Sequence, residues 1–364
     1  MRLIPAVAGR DNNFNLLRFV AATAVLLSHC VALWSGSSDN EPLRKLLGMT
    51  PGTIAVDVFF ITSGFLVTGS ICASRSLVDF AVARGLRIYP GLVVMTMLSV
   101  VVLGVYFSTL PAAEFVAHPQ TQTFLLKNFS VFWGTTGALP GVFETLPMKR
   151  LVNASLWTLP FEVHMYAGLA LIWALVAYFP VLRNRGSSNL LLATGLLAAA
   201  AFVLLLRAYF TAGVVDHRFR LIFLFFSGSV CFLMRARLRR DFRIMAFLML
   251  CLCLSAVNVK IFFVVYHLVI SYCVLWLAYV PAGALRKFNR IGDYSYGLYI
   301  YAFPLQQTLL ALIPNISLSI YMGASVALTL VFAVASWYFI EKPALALSRV
   351  FRQRKKNSAK ASVA

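Results

Sequence analysis

The stretch FNLLRFVAATAVLLSHCVALW, residues 14–34, decides the fold. It is long and apolar enough to cross a bilayer as a helix, because about 20 residues at a rise of about 1.5 Å each span the hydrocarbon core. It nevertheless carries Arg18 and His29, eleven positions apart. At about 100° per residue the two side chains fall on nearly one face, roughly 16 Å apart along the axis. Because an arginine at membrane depth costs about 2.5–3.5 kcal/mol, we predict a functional role for this helix.

The composition of the whole chain is that of a membrane protein. The 364 residues are 60% hydrophobic and 12% charged, with a mean hydropathy of +0.83, whereas soluble domains are about 45–50% apolar and about 25% charged. Apolar stretches run from end to end and leave no room for a large soluble domain. The net charge of +20 lies mostly between these stretches, where membrane orientation and anionic headgroups explain it. We therefore expect the lipid bilayer as a partner and no nucleic acid.

We predict an all-α polytopic membrane helix bundle of about ten transmembrane helices with both termini cytoplasmic; nine and eleven spans are the alternatives. The predicted spans are 14–34, 53–72, 90–110, 155–180, 189–207, 218–234, 243–258, 261–280, 293–313 and 318–340. In this topology 22 of the 32 Lys and Arg residues face the cytoplasm and nine face the outside, as the positive-inside rule requires. Residues 1–345 would form the membrane domain, and residues 346–364 a basic, disordered cytoplasmic tail.

Three further stretches carry residue types that suit a reactive site. Ser63 and Gly64, in the second span, suit either close helix packing or a substrate role. Arg84 and Arg87 lie three apart on one helical face at the cytoplasmic edge, where arginines either bind phosphate or set the topology. Glu162, near the start of the fourth span, would orient a base or pair with an arginine from another helix.

Other reactive residue types are interpreted as structural. Asp57 lies near the start of the second span and is read as an interfacial or helix-start residue. Loop or packing roles are favoured for three histidines, namely His118, His217 and His267. All six cysteines lie in or beside apolar stretches, and none has partners at zinc-site spacing. We therefore predict neither a metal site nor a disulfide framework.

Taken in order, these motifs resemble the acyltransferase-3 family of integral membrane acyltransferases. Arg18 and His29 match its R-x10-H signature, residues 56–66 match V-x-x-F-F-x-x-S-G-F-L, and Arg84 with Arg87 match R-x-x-R. The segments SLWTLPFEVHMY, DYSYGLYIY and YFIEKP resemble later landmarks, so the resemblance covers about residues 12–345. One departure is Ala302, where many members carry a histidine before Phe-Pro. That histidine cannot be essential here.

The resemblance implies transfer of an acyl group, most often acetyl, from cytoplasmic acetyl-CoA to a carbohydrate hydroxyl. His29 would act as general base or, less favoured, carry the acyl group itself. Arg18 would face the donor entrance, and Glu162 would orient the site. The donor-binding residues would be Arg84, Arg87, Ser63 and Gly64. No metal is expected, because a thioester donor is already activated.

The resemblance also implies the setting of the reaction. Expected partners are acyl-CoA, a carbohydrate acceptor such as lipopolysaccharide O-antigen, exopolysaccharide, peptidoglycan or a lipid-linked sugar, and the polysaccharide biosynthesis machinery. The expected location is the bacterial inner (plasma) membrane. The alternative function is a transporter or flippase for a glycolipid or small anion, in which buried Arg and His are equally at home. A third class is a non-enzymatic component of a polysaccharide assembly complex.

Overall fold

The computed structural model describes residues 11–74 and 76–348, and this part of the chain contains helices and no β-strand. It confirms the all-α prediction. The long helices, in chain order, are α1 (Phe14–Ser35), α2 (Pro51–Ala73), α3 (Leu77–Leu98), α4 (Pro119–Ser130), α5 (Leu159–Tyr178), α6 (Gly186–Ala212), α7 (His217–Leu233), α8 (Phe242–Ser255), α9 (Val259–Tyr279), α10 (Ser295–Leu312) and α11 (Leu318–Ser336).

A helix occupies each of the ten predicted span positions, and α4 is an additional helix in the predicted outside loop. Within the described ranges, seven helical stretches are long and apolar enough to cross a membrane: Phe14–Ser35, Pro51–Ala73, Leu77–Phe107, Ala154–Tyr178, Gly186–Ala212, Val259–Tyr279 and Leu318–Ser348. The chain is thus a multi-pass helical protein. The count of ten spans and the cytoplasmic termini stay predictions.

The third span differs most from its predicted bounds. Its helix begins at Leu77 rather than at residue 90, and the Ser76 side chain caps it by accepting the Asp79 backbone N–H at 3.2 Å. Pro90, which at the predicted boundary resembles a favoured helix start, lies inside the helix. Membrane helices tolerate such a proline because neighbouring groups satisfy the freed carbonyl. Arg84 and Arg87 therefore belong to α3 itself.

The predicted boundary between membrane domain and tail stays a prediction. Residues 346–348 continue the helical stretch that begins with α11. Residues 349–364 lie outside the described residues, as do Arg2, Arg10 and Arg75, which are among the 22 Lys and Arg residues predicted to face the cytoplasm.

The described chain divides into two compact units, with one boundary between Ser28 and His29 inside α1. The first unit holds residues 11–28, 38–73 and 161–293, and thus α2 and α5–α9. The second holds residues 29–37, 74–160 and 294–348, and thus α3, α4, α10 and α11.

In the first unit, two glycines set the close approach of α2 and α7. A Cβ atom added to Gly64 would lie 1.8 Å from the carbonyl oxygen of Phe225, and one added to Gly228 would lie 2.2 Å from that of Ile61. No side chain fits between backbones this close. Gly64 therefore has a packing role, which was one of the two roles that the sequence left open for it. Small residues are common at such interfaces between membrane helices.

A buried ion pair joins three helices of the same unit. Arg220 Nε of α7 lies 3.3 Å from Asp57 Oδ1 of α2, and the Tyr266 hydroxyl of α9 donates to Asp57 Oδ2 at 2.9 Å. None of the three residues is more than 3% exposed. Asp57 is thus a buried, paired residue rather than an interfacial one.

In the second unit, the long segment after α3 is anchored to α10. Gln307 donates to the carbonyl oxygens of Met148 and Leu151 at 2.9 and 2.7 Å, and Asn153 Nδ2 donates to that of Ile300 at 2.8 Å. Apolar side chains close the segment on itself in one cluster: Val100, Phe115, Phe124, Leu139, Val142, Phe143, Leu146 and Val152. The predicted outside loop is therefore an ordered layer with its own core.

Candidate active site

Two of the predicted site residues meet in the first unit. The Ser63 hydroxyl of α2 donates to Glu162 Oε1 of α5 at 3.2 Å. Tyr166, one turn further along α5, donates its hydroxyl to the same oxygen. The carboxylate is thus held by two hydroxyl donors, which fix its direction. Ser63 is buried whereas Glu162 is partly exposed, so the carboxylate can meet a ligand.

Arg18 belongs to the first unit as well. Its guanidinium carbon lies 5.3 Å from the centroid of the Phe59 ring of α2, within cation–π range. Phe59 is the first of the two phenylalanines of the V-x-x-F-F motif. Two sequence landmarks of the family, one on α1 and one on α2, are therefore in direct contact.

His29 lies in the second unit, in the last two turns of α1. Its ring packs edge-on against Phe303 of α10, with centroids 5.4 Å apart, and the residue is partly exposed. Its Nδ1 atom is buried and makes no hydrogen bond within the described part of the chain. Phe303 follows Ala302, the position at which the chain departs from the family pattern. In a neutral imidazole, one of the two ring nitrogens is free to act as a hydrogen-bond acceptor and the other is a donor.

The two arginines of R-x-x-R lie on the same helix. Both are partly buried on α3. Arg87 Nη1 lies 3.3 Å from Glu341 Oε2, and the Arg87 guanidinium carbon lies 5.7 Å from the centroid of the Tyr296 ring. Glu341 in turn accepts a hydrogen bond from Ser336 at 3.0 Å. Arg87 is thus fixed by an ion pair.

Several landmark segments that are distant in sequence meet in the second unit. The Tyr299 hydroxyl of α10 lies 2.6 Å from the Thr158 hydroxyl and donates to the Ser155 carbonyl oxygen at 2.6 Å. These contacts join DYSYGLYIY to SLWT. The Arg87–Glu341 pair likewise joins R-x-x-R to YFIEKP. The motifs that carry the resemblance are therefore points of mutual contact within the fold.

The sequence did not predict the ion-pair partner of Asp57, but it did predict the packing role of His267. Nothing in the sequence singled out Arg220, which pairs with Asp57. His267 of α9 is 1% exposed, with its Nδ1 atom 2.7 Å from the Phe263 carbonyl oxygen; this agrees with the favoured packing role. Within residues 11–74 and 76–348, no three His, Cys, Asp or Glu side chains are grouped to hold a metal ion. The expectation of metal-free chemistry stays a prediction.

A family model described as an acyltransferase domain, Acyl_transf_3, matches residues 11–340. The chain belongs to the acyltransferase-3 family. It is 28% identical to an O-acetyl transferase of Shigella phage Sf6 over 339 residues, which cover 92% of this chain and 96% of the relative. No solved structure matches the chain. The family and this relative identify the chain as an O-acyltransferase.

Two further relatives align over less than half of their length. Nodulation protein 10 of Rhizobium leguminosarum bv. viciae is 33% identical over 181 residues, 45% of each chain. Acyltransferase MdmB of Streptomyces mycarofaciens is 31% identical over 172 residues, 46% of this chain and 40% of the relative. The name of the second of these relatives agrees with acyl transfer.

Proposed function

We propose that this membrane O-acyltransferase moves an acetyl group from cytoplasmic acetyl-CoA to a hydroxyl of a cell-surface or lipid-linked carbohydrate, with His29 as the general base. The observation that carries the proposal is the state of the His29 ring. It is partly exposed on a membrane helix, and its Nδ1 atom has no hydrogen-bond partner among the described residues. His267, by contrast, is enclosed, with only 1% of its surface exposed.

The proposed reaction needs one proton acceptor and no oxidant or reductant. His29 takes the proton of the sugar hydroxyl as its oxygen attacks the thioester carbonyl carbon. The new C–O bond forms, the C–S bond breaks, and the proton ends on the CoA thiol. A base is needed because a neutral hydroxyl is a poor nucleophile, and a positioned histidine typically contributes about 10²–10⁴ in rate.

The donor would be held by arginines of α3. Arg84 and Arg87 belong to one helix, three positions apart, and guanidinium groups bind phosphate oxygens in pairs. Arg87 Nη1 also bonds Glu341, which holds the guanidinium in place. Arg18 would line the donor entrance. Ser63 and Gly64 are assigned to the donor more weakly, because Ser63 already bonds Glu162 and Gly64 packs on Phe225.

The acyl group, the acceptor and the location are proposed from membership of the family. The O-acetyl transferase of Shigella phage Sf6 aligns over nearly its whole length, which supports acetyl as the acyl group. A polysaccharide acceptor, such as lipopolysaccharide O-antigen or exopolysaccharide, would place the enzyme in the bacterial inner membrane beside the polysaccharide biosynthesis machinery. Glu162 would orient an acceptor hydroxyl or the base.

The purified full-length protein in detergent tests the proposal. Acetyl-CoA labelled in the acetyl group is supplied with a panel of lipid-linked and polysaccharide acceptors, and free CoA and acylated glycan are both measured. We expect CoA release that depends on the acceptor and matches the acylated glycan in amount. Glycolipid movement across vesicles without acyl transfer would overturn the proposal in favour of a transporter.

A further inference from the structure

A surface pocket of about 570 Å³ opens in the first unit, beside the start of α1 and beyond the end of α9. Its wall contains three basic residues, Arg286, Lys287 and Arg290, and one acidic residue, Asp11. None of these belongs to a family motif or to the proposed reaction. A concave, net-positive surface of this size suits an anionic ligand.

The pocket is built by hydrogen bonds that need no ligand. The Arg286 guanidinium pairs with Asp11 at 2.5 Å and donates to the carbonyl oxygens of Pro281 and Tyr279 at 3.1 and 2.7 Å. Asn289 Nδ2 donates to Asn12 Oδ1 at 3.1 Å. These bonds fix the segment after α9 to the residues before α1, so the wall is preorganised.

The two remaining cations are available to a ligand. Lys287 and Arg290 are exposed, and neither has an ion-pair partner among residues 11–74 and 76–348. Together they offer a point charge and a planar fork, the two ways in which side chains bind phosphate. Arg286, by contrast, is committed to holding the wall.

The surroundings favour a lipid over a soluble anion. The pocket follows α9, a helix long enough to cross the membrane, and adjoins the start of α1, another such helix. Leu285 and Ile291, on either side of the basic residues in sequence, are 49% and 53% exposed. Cations at the end of a span can bind the phosphate of a phospholipid, and apolar side chains beside them can contact its acyl chains.

We propose that this pocket binds the phosphate-bearing headgroup of an anionic phospholipid. The phosphate lies between Lys287 and Arg290, and the acyl chains pass along Leu285 and Ile291. The proposal goes beyond acyl transfer and does not depend on it, because binding is measured without donor or acceptor.

The test is a titration of the purified full-length protein, in neutral detergent, with fluorescent phosphatidylglycerol and, separately, fluorescent phosphatidylcholine. We expect tighter binding of phosphatidylglycerol. In the variant K287Q/R290Q this preference should fall roughly tenfold or more, because each basic residue near an anionic lipid surface contributes about 1 kcal/mol. Both side chains are exposed, so the variant should fold, which its acetyl transfer and thermal unfolding check.

The matched control is R237Q/R243Q, which removes two exposed arginines that do not line the pocket. It should bind phosphatidylglycerol as the unchanged protein does. Equal binding of the two lipids, or equal losses in both double variants, would overturn the proposal. A soluble source is tested with adenosine 3′,5′-bisphosphate. Its binding to the unchanged protein, lost in K287Q/R290Q while lipid binding persists, would assign the pocket to a soluble phosphate ester instead.

Discussion

Polar groups inside apolar helices have opposite surroundings in two places of the molecule. One is the Asp57 cluster of the first unit, which consists of Asp57, Arg220 and Tyr266. The other is the ring of His29 in the second unit. Asp57 Oδ2 accepts a hydrogen bond from the Tyr266 hydroxyl, and Asp57 Oδ1 lies in an ion pair, 3.3 Å from Arg220 Nε. Removed from water, such charges are tolerated only with partners, because an unpaired buried ion costs several kcal/mol. His29 has a buried Nδ1 atom without a hydrogen bond in the described chain.

Exposure separates His29 from the other buried histidine, His267. His267 is 1% exposed, with its Nδ1 atom against the Phe263 carbonyl oxygen and its Nε2 atom buried without a hydrogen bond in the described chain. His29 is partly exposed. A partly exposed imidazole can meet a substrate, whereas an enclosed one cannot. The comparison therefore predicts opposite outcomes for substitutions at the two places.

The largest expected effect is at His29. We expect His29→Gln to lower acetyl transfer by about 10²–10⁴, the usual contribution of a general base, while the protein still inserts and unfolds at nearly the same temperature. The measurement is the rate of acceptor-dependent CoA release by purified protein. His267→Gln is the matched control and should keep most of the activity. If H29Q and H267Q lost equal activity, the distinction between the partly exposed ring and the enclosed ring would fail.

The second effect concerns stability rather than catalysis. Asp57→Asn leaves the Arg220 charge buried without its carboxylate, which we expect to cost about 3–5 kcal/mol. Thermal unfolding in detergent measures this loss, and transfer per folded molecule should change little. The double variant D57N/R220Q should recover part of the stability, because it removes the unpaired charge. A D57N protein of normal stability but no activity would instead move Asp57 into the reacting site.

The sequence predicted the positions of the helices well, because long apolar stretches are a local property of the chain. The start of α3 was the exception. Pro90 resembles a helix start, but the helix begins earlier in the chain, directly after its N-cap residue Ser76. Partners were not predictable in the same way. Ser63 and Glu162 were both singled out, but they are 99 positions apart, and nothing in a single sequence shows that they meet.

The same limit applies to the charged residues. Tyr266 and Asp57 are 209 positions apart, and Arg87 and Glu341 are 254 apart. Spacing on one helix predicted a shared face for Arg84 and Arg87, whereas only packing determines that Arg87 pairs with a carboxylate of the last helical stretch. Residue type thus indicated which charged groups to consider, whereas the packing of distant segments determines which of them form ion pairs or hydrogen bonds within the fold.

The smallest expected effect concerns Arg87, which combines a structural ion pair with a proposed role in donor binding. Arg87 is paired, as Asp57 is, yet the proposed function assigns it to the donor. If Glu341 orients Arg87 toward the CoA phosphates, Glu341→Gln should raise KM for acetyl-CoA by roughly two- to tenfold, the effect of about 0.5–1.5 kcal/mol of hydrogen-bond energy, with kcat nearly constant.

Steady-state kinetics with varied acetyl-CoA measure this split between KM and kcat. Ser336→Ala is the matched control, because it removes the hydrogen bond to Glu341 Oε1 and leaves the bond from Oε2 to Arg87. Its KM should lie between those of E341Q and the unchanged protein. An E341Q enzyme with unchanged KM and a lowered unfolding temperature would place Arg87 with the Asp57 cluster, as an occupied structural residue, and leave Arg84 to bind the donor.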